Sequence, residues 1–169
     1  MLKVDLGRLD RLRRLRLDDE VAPDDPIWAG SGLNLARPLD VRLEVQQVGH
    51  DVVVRGSVAG EVAMDCRRCL SPVRVPVGEE IAVLYQPGVT RTEAEESEVY
   101  PLPERGRELD LSEMVREQVM LAVPAYASCT ETCRGLCPTC GKNLNEGACA
   151  CEPAVGDDRW GALRKLKSE

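Results

Sequence analysis

Apolar residues recur along this chain at two different intervals, and the interval decides which element each segment is predicted to form. In residues 1–20, leucines recur at steps of three and four, which predicts an amphipathic helix with arginines between positions 8 and 16 on its other face. Those arginines are either a solvated face balanced by the acidic residues 18–20 or an arm that contacts phosphate. Residues 21–38 are rich in Pro, Gly and Asp and are predicted to form a loop.

From residue 39 to 86 the interval shortens to two, which is the period of a half-buried strand. Apolar residues alternate with charged ones from Val41 to Val45, and Gly49-His50-Asp51 interrupts the pattern where a hairpin turn is expected. The alternation continues on both sides of Cys66–Cys69, so this CRRC motif is predicted to form a turn at the edge of the sheet. The whole segment is therefore predicted to form antiparallel strands with one face exposed to solvent.

Helical spacing returns in the second half of the chain. Apolar residues mark a helix over 110–123, with Asp110 as its N-cap, Glu113 completing a capping box and Pro124 ending it. A final helix is predicted within 157–167, where Trp and Leu residues can share one face.

Eight cysteines fall into three tight clusters in this chain of 169 residues. The clusters are Cys66 with Cys69, then Cys129, Cys133, Cys137 and Cys140, and finally Cys149 with Cys151. Four thiolates bind one tetrahedral zinc ion, and the two sulfurs of a CxxC turn can reach the same metal, so eight cysteines suffice for two structural zinc ions. Gly141, after the second CxxC, permits a backbone conformation that directs amide groups at the sulfurs.

Three other uses of the cysteines compete with zinc. Disulfides are disfavoured because no apolar signal segment opens the chain, which makes a reducing cytoplasm the expected compartment. A redox CxxC normally lies at a strand-to-helix junction, and no such pattern surrounds Cys66 or Cys137. An iron–sulfur cluster also takes four thiolates, but the CPxCG turn and the spacing favour zinc.

The spacing leaves two ways to divide the cysteines between two ions. In the first, the last four close a local loop over 137–151, and the first four join the two halves of the chain. In the second, the two CxxC turns, 66–69 and 137–140, share one ion as in a zinc ribbon. We favour the first arrangement because Cys149 and Cys151 then need no distant partner.

Together these elements predict an α+β fold, in which a small antiparallel sheet or partly open barrel is followed by a helix and a Cys-rich zinc-binding module. The predicted parts are an N-terminal helix and loop arm (1–38), an antiparallel β region with the CxxC turn (39–86), an acidic flexible linker (87–107), and the helix, zinc-binding loop and C-terminal helix (108–169). The linker is predicted from its lack of apolar periodicity and from four glutamates. They are Glu93, Glu95, Glu96 and Glu98.

Composition indicates which residues form the core and how much a metal ion adds to stability, and the net charge limits the class of partner. With no Phe, two Trp and three Tyr, the core must rest on Val and Leu. A structural zinc ion contributes roughly 10–16 kcal/mol in small peptides, which is comparable to the whole stability of a domain. The formal net charge of −7 argues against a protein that coats nucleic acid non-specifically, although a local basic patch is compatible with it. No run of 18 apolar residues occurs, so no membrane span is expected.

We predict no enzymatic activity. The single histidine, His50, lies in the predicted hairpin turn, and the sequence contains no GxSxG, P-loop or GxGxxG motif. A catalytic zinc keeps an open coordination position, which two closed sets of four thiolates do not leave.

Several motifs occur together in one order. DCRRCLSP follows the strands, ELDLSEMVREQVMLAVP precedes CRGLCPTCGKNLNEGACAC, and DDRWGALRKLK comes near the end. In this combination the chain resembles the YceD-like family of bacteria and plastids over roughly residues 40–167. Asp158 stands where that family usually has a proline. The resemblance also implies two separable metal sites, because some members lack counterparts of the last four cysteines.

The resemblance implies a cytoplasmic factor in ribosome biogenesis that supports the accumulation of large-subunit ribosomal RNA. The first hypothesis for its partner is that RNA or its assembly intermediates, contacted by basic residues on the first CxxC turn and near the C-terminus. Those residues are Arg67, Arg68, Arg164, Lys165 and Lys167. The second is an acidic interaction module or chaperone for a basic ribosomal protein, suggested by the net charge and the 93–98 cluster. A purely structural or metal-storage role ranks last, because closed sites release metal reluctantly.

Overall fold

A five-stranded sheet is the largest element of the fold. The structure, a computed structural model, describes residues 2–89, 99–103 and 106–152. In chain order the elements are β1 (Lys3–Asp5), α1 (Leu6–Leu12), β2 (Arg14–Val21), a 3-10 turn (Pro26–Trp28), β3 (Leu39–Val48), β4 (Asp51–Asp65), β5 (Pro72–Pro87), β6 (Val99–Leu102), β7 (Glu108–Asp110) and α2 (Ser112–Ala122). The α+β class predicted from the sequence is confirmed.

The strands of the main sheet follow the order β2-β3-β4-β5-β6, and all neighbours are antiparallel except β5 and β6. The predicted hairpin turn at Gly49-His50 joins β3 to β4, and Gly49 has a φ of +63°, which glycine adopts without steric cost. The β4–β5 ladder ends where Asp65 pairs with Pro72, so the CRRC motif connects these two long strands as predicted. Strands β1 and β7 form a separate two-stranded sheet.

The helix predicted for residues 1–20 is wrong in its extent. Only Leu6–Leu12 is helical, and Arg13, with a φ of +61°, ends the helix. Residues Arg14–Val21 instead form β2, which pairs with β3 along its full length. The leucines at 15 and 17 fit a strand period as well as a helical one, and the long β3 offers β2 a complete ladder of hydrogen bonds.

The segment predicted as a linker, 87–107, contains a strand. Val99–Leu102 forms β6 parallel to β5, and the rings of Tyr85 and Tyr100 lie 5.1 Å apart across this pair. A four-residue strand carries too little periodicity to be recognised before its partner is known. The acidic cluster at 93–98 falls in residues 90–98, which lie outside the described part of the chain.

The predicted helix after the linker is confirmed as α2, but its start differs in detail. Leu111 is the N-cap residue, and Asp110 belongs to β7 instead. The Asp110 carboxylate still accepts a hydrogen bond from the Ser112 N–H at 2.9 Å, so it satisfies one free amide of the first turn. The helix ends before Pro124, as expected. The C-terminal helix predicted within 157–167 lies outside the described residues.

The core lies between one face of the sheet, α1, α2 and the 3-10 turn, and aliphatic side chains dominate it. Alternate residues of β3 and β4 are fully buried, and α2 adds Met114, Val115 and Val119. Trp28 joins the same cluster, and its indole N–H donates to the Ala22 carbonyl at 3.0 Å. Within the described ranges, no helix is both long and apolar enough to cross a bilayer.

Candidate metal centre and its basic surface

The structure brings the eight cysteines into two groups of four, and in each group the sulfur atoms all lie within 4.8 Å of one another. The first group is Cys66, Cys69, Cys129 and Cys133, and the second is Cys137, Cys140, Cys149 and Cys151. All eight are free thiols. This is the division favoured from the spacing, and the two CxxC turns belong to different groups.

The first group connects the β4–β5 turn to the segment after α2. Cys66 Sγ lies 3.8 Å from Cys133 Sγ, and Cys69 Sγ lies 3.6 Å from Cys129 Sγ. All of these residues except Cys129 are buried. The three buried cysteines form a small cluster of their own, which acts as a second core beside the main one.

Backbone pairing holds the two halves of this first group together. Cys66 forms a parallel bridge with Ala127, and the Arg67 N–H donates to the Ala127 carbonyl at 2.9 Å. The Leu136 N–H donates to the Arg68 carbonyl at 3.1 Å. Residues some 60 positions later in the sequence therefore hold the CRRC turn in place, and Cys69 and Cys129 are likewise 60 positions apart.

The second group is local and more open to solvent. Cys137 is buried, Cys140 is exposed, and Cys149 and Cys151 are partly exposed. A hydrogen bond of 2.8 Å from the Cys137 N–H to the Lys142 carbonyl helps to close its loop. The ligands of this group therefore all come from one short segment of chain, 137–151.

The two CxxC turns share one backbone form. The Leu70 N–H donates to the Cys66 carbonyl, and the Gly141 N–H donates to the Cys137 carbonyl, both at 2.9 Å. The residue after each turn is left-handed, with φ of +59° at Leu70 and +72° at Gly141. Gly141 thus has the conformation expected from the sequence, whereas Leu70 adopts it against the steric preference of its Cβ.

Amide groups of each turn are directed at its first sulfur. The backbone N–H of Arg68 is the main cause of the lowered pKa of Cys66. The backbone N–H of Cys140, followed by that of Thr139, lowers the pKa of Cys137 in the same way. Because the thiolate is the form that binds a metal, each turn is arranged to favour a ligand.

Asn145 links the two groups. Its Nδ2 lies 3.3 Å from Cys133 Sγ, and its Oδ1 accepts a hydrogen bond of 2.8 Å from the Arg134 N–H. The amide of Asn145 is the largest cause of the lowered pKa of Cys133, ahead of the Gly135 N–H. Since Asn145 lies in the loop that the second group closes, that loop supports a sulfur of the first. Sequence reasoning missed this residue, because its spacing from the cysteines gives no sign of its target.

The sulfur geometry fits a tetrahedral metal ion. With metal–sulfur bonds of about 2.3 Å, the ligands of a regular tetrahedron lie about 3.8 Å apart. In the first group, separations of 3.8 and 3.6 Å agree with this value, and the sulfurs of the second group lie within 4.8 Å of one another. The two separations in the first group are far longer than the disulfide bond of about 2 Å. Each group could therefore hold one metal ion, and four sulfurs leave no position open for a substrate.

Of the basic residues predicted to contact RNA, two lie in the first CxxC turn and three lie outside the described part of the chain. Arg67 and Arg68 are both exposed, and the guanidinium of Arg67 lies 4.1 Å from the centre of the Tyr126 ring. Sequence reasoning missed Tyr126, which meets Arg67 only through the fold. The other three predicted contacts, Arg164, Lys165 and Lys167, lie outside the described residues.

Two arginines of the predicted N-terminal arm have partners on the sheet. Arg14 and Arg16 both form ion pairs with Glu44 on the neighbouring strand, each at 3.5 Å. By contrast, within the described ranges neither Arg67 nor Arg68 pairs with a carboxylate. The CRRC turn thus presents charge that no carboxylate of the described residues neutralises.

Comparison with known proteins identifies the family. Residues 54–167, which include all eight cysteines, match the family model described as large ribosomal RNA subunit accumulation protein YceD. The chain belongs to the YceD family. An uncharacterised protein from Mycobacterium tuberculosis is 36% identical over 134 residues, covering 76% of this chain and 61% of the relative. One from Mycobacterium leprae is 30% identical over 152 residues, covering 83% and 67%.

A YceD relative from Arabidopsis thaliana carries the name large ribosomal RNA subunit accumulation protein YCED homolog 1, chloroplastic. It is 34% identical over 67 residues, which are 40% of this chain and 21% of the relative. The chain thus spans 61% of the length of the Mycobacterium tuberculosis relative. No solved structure matches it. The resemblance to the YceD family seen in the sequence is confirmed.

Proposed function

We propose that this chain is a non-enzymatic ribosome-biogenesis factor that supports accumulation of large-subunit ribosomal RNA by binding through a surface stabilised by two structural zinc ions. The observation that carries the proposal is the first cysteine group, which fixes the Arg67-Arg68 turn in a family named for ribosomal RNA. No carboxylate of the described residues pairs with either arginine. Four thiolates per ion leave no open position, which supports binding and not catalysis. Free thiols as metal ligands also suit a reducing compartment such as the cytoplasm.

Zinc is the metal that the donor set supports best. Both groups are all-sulfur, and in each the first sulfur of a tight CxxC turn receives backbone N–H groups, an arrangement that suits structural zinc. Metal analysis of the purified chain should give two zinc ions per molecule. Iron with visible absorbance from a cluster would overturn this assignment.

Large-subunit RNA, or an assembly intermediate that contains it, is the partner that the exposed arginines support. A guanidinium binds phosphate through charge-assisted and often bidentate hydrogen bonds, and the rigid turn limits the entropy that each arginine loses on contact. Filter binding with large-subunit RNA fragments should show affinity that falls steeply with salt. Binding that is absent, or that does not respond to salt, would refute direct RNA contact.

The alternative function is an acidic interaction module or chaperone for a basic ribosomal protein. The net charge of −7 favours it, as does a depression on the sheet lined by four acidic residues together with Val41 and Arg42. The four acidic residues are Asp18, Asp19, Glu20 and Asp40. Co-purification of a ribosomal protein that survives nuclease treatment would support this alternative over direct RNA contact.

A further inference from the structure

Tyr126 is an aromatic side chain on the surface with one face already occupied by a cation. The guanidinium carbon of Arg67 lies 4.1 Å from the centre of its ring, within the range of a cation–π contact. Tyr126 nevertheless keeps 60% of its surface exposed. With an exposed fraction this large, much of the side chain remains accessible to a flat partner.

Two features hold this pair in place. Arg67 follows Cys66 directly, and its N–H donates to the carbonyl of Ala127, the residue after Tyr126. The parallel bridge between Cys66 and Ala127 fixes the two segments side by side. Both segments also lead into the first cysteine group, so the ring and the guanidinium stand on one rigid support.

Further arginines lie on the segments that carry the pair, which also hold the exposed Asp65 and Glu131. Arg68 is the next residue of the turn and is exposed. Arg134 is also exposed, and it precedes Gly135, whose backbone lies against the Arg68 carbonyl. Among the described residues, none of these arginines has a carboxylate partner. An exposed aromatic ring on a support that also carries arginines without carboxylate partners is the combination by which proteins hold single-stranded nucleic acid.

We propose that Tyr126, backed by Arg67, is a stacking platform for one unpaired nucleobase of RNA, while Arg68 holds the adjacent phosphate. The inference rests on the proposed RNA contact and narrows it to single-stranded RNA. A base in a duplex is already stacked on both faces and cannot use the platform, whereas an unpaired base can. The platform tolerates different bases, because every base presents a π face.

The test is fluorescence anisotropy with a labelled single-stranded RNA of about 12 nucleotides and the same RNA annealed to its complement, using the metal-loaded full chain. The Tyr126→Ala variant should bind the single strand on the order of ten-fold more weakly, whereas Tyr126→Phe should bind as the unchanged chain does. Leu121→Ala is the matched control, because Leu121 is 79% exposed on α2 and should leave binding unchanged. Metal content and circular dichroism establish that each variant is folded.

Salt dependence separates stacking from phosphate contact. In titrations between about 50 and 200 mM salt, Tyr126→Ala should keep the slope of log affinity against log salt, because the phenol carries no charge. Arg68→Gln should reduce that slope by about 0.7 for a single strand. An equal loss of slope in Tyr126→Ala would show that the ring acts only by placing the arginines, and would overturn the stacking role.

The remaining outcomes distinguish this inference from the proposed function. If the unchanged chain binds neither RNA, the proposed RNA contact fails and the platform fails with it. If Arg68→Gln weakens binding and Tyr126→Ala does not, RNA contact stands and the platform is refuted. Equal weakening of single-stranded and duplex binding by Tyr126→Ala would also refute it. Loss of a captured ribosomal protein, with RNA binding intact, would assign the ring to a protein partner instead.

Discussion

Replacing Cys66 by serine should remove one metal ion and destabilise the whole sheet, whereas the same replacement at Cys140 should remove the other ion and leave the sheet nearly unchanged. The two substitutions are chemically identical, so each is a control for the other. They differ in what the affected group holds together. Cys66 is buried at the end of β4, while Cys140 is exposed in a local loop.

The size of the expected loss in free energy of unfolding follows from the length of chain that each group closes. Cys66 and Cys133 are 67 positions apart, and Cys69 and Cys129 are 60 apart, whereas the second group closes only 137–151. By loop-closure entropy, a cross-link over roughly 60 residues contributes about 4 kcal/mol, and one over roughly 15 residues about 3 kcal/mol. The longer closure restrains the sheet, while the shorter one restrains its own loop. A loss of about 4 kcal/mol is a large part of a typical stability of 5–15 kcal/mol.

Native mass spectrometry counts the bound ions, and urea unfolding followed by far-ultraviolet circular dichroism reports the stability of the sheet. Each single variant should hold one ion, and the double variant should hold none. Only Cys66→Ser and the double variant should show the large loss of stability. A double variant that still holds one ion would mean that both cysteines serve the same ion, which is the zinc-ribbon pairing, and the reasoning would be wrong.

Three smaller effects can be measured on the same protein. Asn145→Ala should weaken metal binding at the first group about 10- to 100-fold in competition with a chelator, because the ligand sulfur loses its hydrogen bond, while the second group keeps its affinity. Leu70→Gly should raise the free energy of unfolding by up to about 1 kcal/mol, since the left-handed conformation costs leucine about 1–2 kcal/mol and its side chain is 63% exposed; a decrease would show that the side chain has an unseen partner. Tyr100→Phe should cost about 0.5–1 kcal/mol at pH 7, because the hydroxyl donates to Glu117 at 2.7 Å. Burial, followed by that hydrogen bond, raises the pKa of Tyr100 to about 12, above its unfolded value of about 10. Its contribution is therefore present below pH 10 and lost as the pH rises through 12, so urea unfolding should show the cost of Tyr100→Phe shrinking over that interval.

Local signals sufficed for the elements with strong periodicity. The alternation from Val41 onward, with Gly49-His50 between two apolar runs, located the β3–β4 hairpin, and the apolar spacing before Pro124 located α2. Both signals work because a strand and a helix each place a fixed set of positions on one buried face. The same logic failed at residues 14–20, where a short leucine pattern fitted both periods and the long β3 decided between them.

Long-range pairing decided what the sequence left open at the candidate site. Cysteine spacing fixed the number of CxxC turns and the donor set, because two sulfurs on one turn can reach one metal. Spacing favoured the observed division of the cysteines without excluding the zinc-ribbon pairing, because the bridge between Cys66 and Ala127 leaves no trace in local spacing. For the same reason, the parallel strand β6 and the link from Asn145 to Cys133 could not be predicted.

The sequence by itself therefore determined the chemistry of this protein, namely eight thiols, two CxxC turns, a pair of arginines in the first turn and a chain of net charge −7. Only the tertiary structure decided the arrangement. It divided the thiols into one group that joins distant segments and one that closes a local loop, and it placed Tyr126 against Arg67. The physical reason is that residue type and spacing set what a side chain can do, while partners far apart in the chain are chosen by the packing of the whole sheet.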